Sequence, residues 1–294
     1  MDTNSIDYYE SEFLNLNKFD VSTSSKNEIG IERGIDGERR VYDILSKYST
    51  NIFYEVVLWD KSHKFTTELD FICEINNFLV LVEVKDWYGV MELHPEREKI
   101  YLSQINLNGH FFKQIRTSPT YSMGAYTKDL KRYLRPNQPY KDTQLKRAIV
   151  FARDELEIKG DFSSAKMELC KLNELELWLE NIKNTINEFP YVLQKDLPSW
   201  DYYYDKKSQR WYKTAIVSEE IETDNGAIKT SKISSILFDE NNIDYAYIKL
   251  LDGSQISCNI NRKSILINSF LKFAQNRVKF IKLNKVLHGE VCTD

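Results

Sequence analysis

Glu83 and Lys85 lie two residues apart at the end of Phe78–Val84, the longest strongly apolar run of the chain. On a β-strand, residues two apart project from the same face. A carboxylate and an ammonium therefore stand together where the other side chains belong in a core, and burial of a carboxylate calls for a cation or a reaction to explain it. Asp70 is the natural companion. Residues 68–75 alternate, with Leu69, Phe71, Cys73 and Ile75 on one face and Glu68, Asp70, Ile72 and Glu74 on the other. Asn76-Asn77 fits a two-residue hairpin turn, because Asn tolerates positive φ. Folding about that turn sets Asp70 opposite Glu83 or Lys85, within a residue of register. Two carboxylates can hold Mg²⁺ and leave room for water and a phosphate oxygen. The metal would polarise the phosphate and acidify a bound water, while Lys85 orients or deprotonates that water or stabilises charge on the pentavalent phosphate. The chemistry suggested is phosphodiester hydrolysis.

A third carboxylate comes from the helix expected after Gly34, whose buried stripe is Val41, Ile44, Leu45 and Tyr48. Glu38, three residues before Val41 and seven before Leu45, points the same way and can reach the metal directly or through water. Further elements follow: strands at 51–58, 90–102 and 147–153, and helices at 121–134 and 172–186, the last with Leu175, Trp178, Leu179 and Ile182 inward. In the 121–134 helix, Met123, Tyr126, Leu130 and Leu134 form an apolar stripe. Lys128, Lys131, Arg132 and Arg135 gather on another face at spacings of three, four and seven. The segment 126–147 carries seven basic and two acidic residues, so a chain with a net charge of -4 still has a local basic zone suited to DNA phosphates.

The order Gly37-Glu38, then Glu68-Leu69-Asp70-Phe71, then Leu81-Val82-Glu83-Val84-Lys85-Asp86-Trp87-Tyr88-Gly89 resembles the nuclease-related domain (NERD) branch of the PD-(D/E)xK nucleases over residues 30–187. The resemblance implies an α/β fold with a mixed sheet flanked by helices, and DNA cleavage dependent on Mg²⁺ or Mn²⁺. It implies Glu38, Asp70, Glu83 and Lys85 as the catalytic set. The metal would be held by Asp70, Glu83 and the main-chain carbonyl of Val84, with Glu38 as a further candidate ligand. Two departures stand out. Leu69 replaces the proline that names the superfamily, and Ser118-Pro119 stands for an Asn-Pro turn without the glutamine expected soon after, so some substrate contacts differ.

Four domain segments are expected: an arm at 1–29, the nuclease domain at 30–187, a linker at 188–199 containing Pro190 and Pro198, and a smaller β-rich accessory domain at 200–294. The last contains strand patterns at 210–218, 227–238, 244–251, 254–260 and 278–283, with a helix at 263–275. It could recruit substrate, a protein partner or a second copy. Its aromatic cluster, Trp200, Tyr202, Tyr203, Tyr204, Trp211 and Tyr212, reads as core or interface more readily than as a base-stacking surface.

Other classes are set aside. The four cysteines form no CxxC pair and the four histidines no ligand spacing. No GxxxxGK[ST] motif occurs, so no nucleotide cofactor is expected. The apolar run is far short of the ~20 residues needed to span a bilayer, and the acidic N-terminus is unlike a signal peptide. A cytoplasmic protein with no membrane partner is expected. Two competing readings remain: a non-catalytic nucleic-acid- or protein-binding scaffold, and an RNA nuclease. A stand-alone nuclease joined to an unrelated domain fits defence against foreign or phage DNA by analogy of architecture.

Overall fold

The computed structural model describes residues 5–15, 28–59, 65–105, 109–134, 144–186, 197, 200–214, 216, 218–242, 244–265 and 278–283. The elements are, in order, helices α1 (Ile6–Leu14) and α2 (Glu28–Leu45), and strands β1 (Ile52–Trp59), β2 (Phe65–Ile75), β3 (Phe78–Lys85), β4 (Gly89–Leu93), β5 (Lys99–Ile105) and β6 (Phe111–Thr117). There follow helix α3 (Pro119–Leu134), strands β7 (Leu145–Phe151), β8 (Leu156–Lys159) and β9 (Glu168–Lys171), and helix α4 (Leu172–Lys183). The remaining strands are β10 (Asp201–Asp205), β11 (Arg210–Thr214), β12 (Glu220–Thr223), β13 (Gly226–Lys229), β14 (Ile233–Phe238), β15 (Tyr245–Leu250), β16 (Gln255–Asn259) and β17 (Val278–Lys282). The chain divides into two compact units. One comprises Glu32–Leu58 and Thr67–Asp196, the other Met1–Ile31, Trp59–Thr66 and Leu197–Asp294.

The first unit is mixed α/β. Its five-stranded sheet has the order β1-β2-β3-β7-β9, antiparallel from β2 to β3 and parallel from β3 through β7 to β9. Asn76 and Asn77 close the β2–β3 hairpin with φ of 47° and 62°, the left-handed turn that their side chains tolerate. β3 is central, and Phe78 to Val84 are all buried. That explains an apolar run without alternation, since a strand paired on both edges and covered on both faces has no wet side. Each of these apolar side chains, Glu83 excepted, contributes about 1.5–3 kcal/mol by leaving water. β7 adds Ala148, Ile149, Val150 and Phe151 to the same core. Helix α4 packs on β7 and β9 through the buried Leu175, Leu179 and Ile182, while Trp178 is half-exposed, less inward than its spacing predicts. A second, four-stranded sheet has the order β6-β5-β4-β8.

The second unit is a β-rich region whose main sheet is an antiparallel six-stranded array, β11-β10-β17-β14-β15-β16. Tyr203, Ile221, Ile236, Phe238, Ile248 and Ile281 belong to one hydrophobic cluster of this unit. Helix α1 docks against another set of side chains. Tyr9 stacks on Phe280 with ring centroids 5.3 Å apart, and Phe13 meets Tyr202 at 5.1 Å and Trp211 at 5.5 Å. Residues 5–15 of the expected N-terminal arm thus hold a helix of the β-rich unit, capped by Ser5, which accepts the Tyr8 N–H, while 28–29 open α2. Trp200, Tyr202, Tyr203 and Trp211 are buried, as a core role for the aromatic cluster requires. The expected linker at 188–199 (except Leu197) and most of the expected helix at 263–275 lie outside the described residues. Cys73, Cys170 and Cys258 are buried free thiols. Among the described residues, no helix is long and apolar enough to cross a membrane.

Candidate active site

The β2–β3 ladder runs from Ile75↔Phe78 to Phe71↔Val82. One further step sets Asp70 beside Glu83, the companion the hairpin register calls for. At that step the side chain takes over from the backbone: the Asp70 carboxylate accepts the Val84 N–H through Oδ2 at 2.6 Å. Glu83 and Lys85 project from one face of β3, and Lys85 Nζ donates to Glu83 Oε1 at 2.5 Å. Glu83 is only 3% exposed, and its second oxygen, Oε2, is buried with no hydrogen-bond partner. An acceptor left in that state costs about 1–3 kcal/mol, more when charged, so the protein tolerates it where function requires it.

The electrostatics show the same tension. Burial pushes the Glu83 carboxyl up, Asp70 pushes it further, and Lys85 restores only part, leaving it at about 8. Asp70 is also raised, because burial outweighs Lys85 and the Val84 N–H. Burial opposes charge on Lys85, yet Glu83 and Asp70 overcome it and hold the ammonium well above the ordinary lysine range. Two ionised carboxylates facing one ammonium leave one negative charge without a partner, and the raised carboxyls are the sign of it. The orphan Glu83 oxygen and the crowded Asp70–Glu83 pair therefore fit a divalent cation. Among the described residues no group of three or more His, Cys, Asp or Glu side chains comes together to hold a metal. The donor set that fits is two carboxylates completed by a main-chain carbonyl such as that of Val84, and by water.

Glu38 is brought to this region by α2. Gly37 is what allows the approach: a Cβ there would lie 2.9 Å from Ala152 Cβ and 3.7 Å from Val84 Cγ1, so any side chain would lift the helix from the ends of β3 and β7. Glu38 Oε2 accepts the Tyr54 O–H at 2.5 Å, and Tyr54 leans on Phe71, 5.2 Å between centroids. That bond ties it to β1, and among the described residues it joins no three-acid cluster with Asp70 and Glu83. Glu68 is close enough to add to the rise of Glu83, while Glu74 is bonded by Asn51 Nδ2 at 3.0 Å, at the turn end of its strand.

Helix α3 begins with the buried Ser118 ahead of Pro119, whose missing N–H is harmless in a first helical turn. Its buried stripe is Met123, Thr127, Leu130 and Leu134. Tyr126, grouped by spacing with that stripe, is half-buried beside it and senses Glu83, Lys85 and Asp70. Burial and then Glu83 push its hydroxyl up to about 12. The spacing argument assigned Tyr126 to the core because an aromatic at i+3 from Met123 looks like packing. Its polar end was the only hint of a site. Lys128 and Arg132 are exposed and Lys131 is half-exposed; Arg132 pairs with Asp129 at 3.3 Å, and Arg135 lies outside the described residues. A second feature that spacing does not reveal is Arg153, which grips Asp86 with bonds of 2.7 and 3.1 Å just past the end of β3. Arg153 and Asp86 also line a cavity of about 440 Å³ with Asp36, Arg40, Ala152, Asp154 and Glu155.

No curated protein and no solved structure matches the chain. A family model does match: that of the nuclease-related domain, over residues 33–152. That span holds Gly37 and Glu38, the β2–β3 hairpin with Asp70, Glu83 and Lys85, and all of α3, and it is over these residues that the chain is similar to the nuclease-related domain (NERD) family.

Proposed function

We propose that the protein is a metal-dependent nuclease that hydrolyses DNA phosphodiester bonds, with Asp70, Glu83 and Lys85 as its catalytic core. The observation that carries this reading is the buried, unpartnered Oε2 of Glu83 beside Asp70. Asp70, Glu83 and the Val84 carbonyl would hold Mg²⁺ or Mn²⁺. When bound, such an ion supplies Lewis-acid polarisation of the phosphate and acidification of a water. Lys85 is held as a cation between two carboxylates, so its work is to fix the attacking water's position or to meet the charge that grows on the phosphorane. Asp70, tied to Val84, keeps its free oxygen in a fixed direction. Glu38, whose carboxylate accepts the Tyr54 O–H, would serve as the further catalytic carboxylate, reaching the metal directly or through water. Lys128, Lys131 and Arg132 on α3, with Arg135 that the sequence groups with them, would bind phosphates and supply affinity that falls with salt.

A non-catalytic scaffold needs only the Glu83–Lys85 pair and gives no reason for a buried oxygen without a partner. An RNA substrate would require contacts to 2′-hydroxyls. We read the biological setting as restriction of foreign or phage DNA, with the β-rich unit recruiting substrate, a protein partner or a second copy. The test is cleavage of supercoiled plasmid, linear duplex, single-stranded DNA and RNA with Mg²⁺ or Mn²⁺. Metal-dependent cutting of DNA that is lost in Asp70→Ala, Glu83→Ala and Lys85→Ala, with folding intact, supports the assignment. Cutting that survives Asp70→Ala and Glu83→Ala removes the site, and no cutting by wild type favours the scaffold.

A further inference from the structure

We propose that the β5–β6 hairpin is a binding arm for unpaired nucleotides, with Phe111 and Phe112 as stacking platforms and Arg116 at its root as a phosphate contact. The proposal rests on the nuclease reading in one respect only, that nucleic acid is the substrate.

β6 is the outer strand of its sheet, and every residue from Phe111 to Thr117 is exposed except the half-buried Gln114. Its register against β5 sets Phe111 beside Ile105 and Ile115 beside Tyr101. Phe111, Ile115 and Ile105 are 67%, 58% and 60% exposed, a row of large apolar side chains in water on one face. The other face carries Phe112 and Arg116. Open edge strands are normally protected by charge, proline or a cover, and exposed apolar rows mark surfaces that bind something. In FFKQIRT one face reads Phe111, Lys113, Ile115 and Thr117 and the other Phe112, Gln114 and Arg116, so each face carries a ring and a cation. A purely hydrophobic partner would gain nothing from Lys113 and Arg116. Rings for base stacking and cations for phosphates are what a single strand requires.

The hairpin is also fastened to the end of the catalytic strand. Gly89, at φ 91°, lies so close to β5 that a Cβ would fall 2.1 Å from the Ser103 carbonyl oxygen. Gln104 Nε2 donates to the Tyr88 carbonyl at 3.0 Å, and Gln114 Nε2 donates to Gln104 Oε1 at 3.4 Å. The Arg116 guanidinium sits 5.7 Å from the centroid of Trp87, two residues beyond Lys85. Lys113 is steadied by Glu92 at 3.2 Å and by the Tyr101 ring at 4.0 Å. From Arg116 to Phe111 the strand extends about 17 Å at about 3.4 Å per residue, room for a few nucleotides leaving the site. A two-stranded ribbon also fits a duplex major groove, but there phenylalanine and isoleucine would meet mainly polar base edges. Only unpaired bases offer free faces to the rings.

The test uses the full chain in EDTA, so that binding is read without cutting. Affinity for a short labelled oligothymidine and for a blunt duplex is measured by fluorescence anisotropy. The double variant Phe111→Ala/Phe112→Ala should bind oligothymidine at least about thirtyfold more weakly, the worth of two stacked bases, with duplex affinity unchanged. Phe111→Tyr/Phe112→Trp should retain wild-type affinity. Wild type that fails to bind oligothymidine, a double variant that binds it as well as wild type, or an equal loss on duplex overturns the proposal. So does sedimentation showing that these substitutions dissolve a dimer while oligothymidine binding is kept, which would assign the strand to a second copy. An enzyme that cuts DNA yet passes none of these tests sinks the arm alone, and one that binds through the arm but never cuts sinks the nuclease reading alone.

Discussion

The Asp70 carboxylate accepts the main-chain N–H of Val84, the residue between Glu83 and Lys85, at 2.6 Å. Two adjacent strands are thereby locked at the point where their backbone ladder stops, and the bond leaves Asp70 with one oxygen committed and one to offer. Catalytic geometry on a sheet depends on such anchoring, because a displacement of 1 Å is enough to disable a metal site.

Replacing this group separates its two roles. Asp70→Asn keeps an oxygen for the Val84 N–H and loses the charge, so folding should be preserved and metal-dependent cleavage lost. Asp70→Ala also strands the amide and should cost about 1–3 kcal/mol of stability. Urea unfolding beside cleavage assays checks both. Equal stability of the two variants would show that the Val84 bond is not what holds the strands.

Metal should stabilise the protein through Glu83. In excess Mg²⁺, at about one hundred times its dissociation constant, wild type should gain about 2.7 kcal/mol of stability, seen as a higher Tm than in EDTA. Glu83→Gln should show no Mg²⁺ response. In EDTA its Tm should match or exceed that of wild type, because the substitution removes a buried carboxylate with an unpartnered oxygen. A Glu83→Gln protein with a full Mg²⁺ shift places the metal elsewhere.

Gly37→Ala should destabilise the protein by about 1–3 kcal/mol, the usual penalty for overpacking, since the new methyl would lie 2.9 Å from Ala152 Cβ. Pairing it with Ala152→Gly should restore most of the loss, whereas two separate costs would add. Cleavage should follow the same pattern, because the clash displaces the helix that carries Glu38. Chemical denaturation of the two single variants and the pair, with cleavage rates alongside, decides it.

The hairpin and its acids were legible because they follow from local rules: a two-residue Asn turn fixes register, and a period of two fixes the shared face. β3 announced itself by being apolar throughout. Tyr126 was hidden because helical spacing treats a phenol as a ring and ignores its hydroxyl. β6 went unread for the opposite reason, that a strand wet on both faces shows no alternation of apolar and polar residues. Helix α1 showed its apolar side chains in sequence, but not where they dock. Its partners, Tyr202, Trp211 and Phe280, lie almost two hundred residues or more away and come together only in the folded sheet. The site's electrostatics were invisible for the same reason: charge on Glu83 is set by burial, by Asp70 and Glu68 on β2 and by Lys85 on its own strand.

Tyr126→Phe should cost about 0.5–1.5 kcal/mol of stability, the worth of the hydroxyl's hydrogen bond with Ser122, and should lower kcat while KM stays near wild type. The hydroxyl lies in the field of Glu83, Lys85 and Asp70, where it can orient water without holding DNA. A rise in KM with kcat unchanged would make it a substrate contact instead. Reversal of Lys128 and Lys131 to Glu should have the opposite signature, weaker binding at low salt and a shallower dependence of affinity on salt.

Acid should release α1 before the sheet beneath it unfolds. Glu10 lies between Lys249, at 2.6 Å, and Lys282, at 2.9 Å, and also accepts from the Ser235 hydroxyl at 3.1 Å. Burial pushes its carboxyl up, but the two lysines outweigh burial and hold it below the usual glutamate value. A carboxyl with a lowered folded pKa contributes its full stability above the unfolded value of about 4.3 and loses it as pH falls through the lower folded value. Docking of α1 should therefore be constant from neutral pH down to about 5 and weaken below about 4. Trp211, 5.5 Å from Phe13, reports the event through its emission. Glu10→Gln should already be weakened by about 2 kcal/mol at neutral pH, the worth of a charge-assisted hydrogen bond, and should lose the acid step. If the step persists in Glu10→Gln, another carboxyl controls the helix.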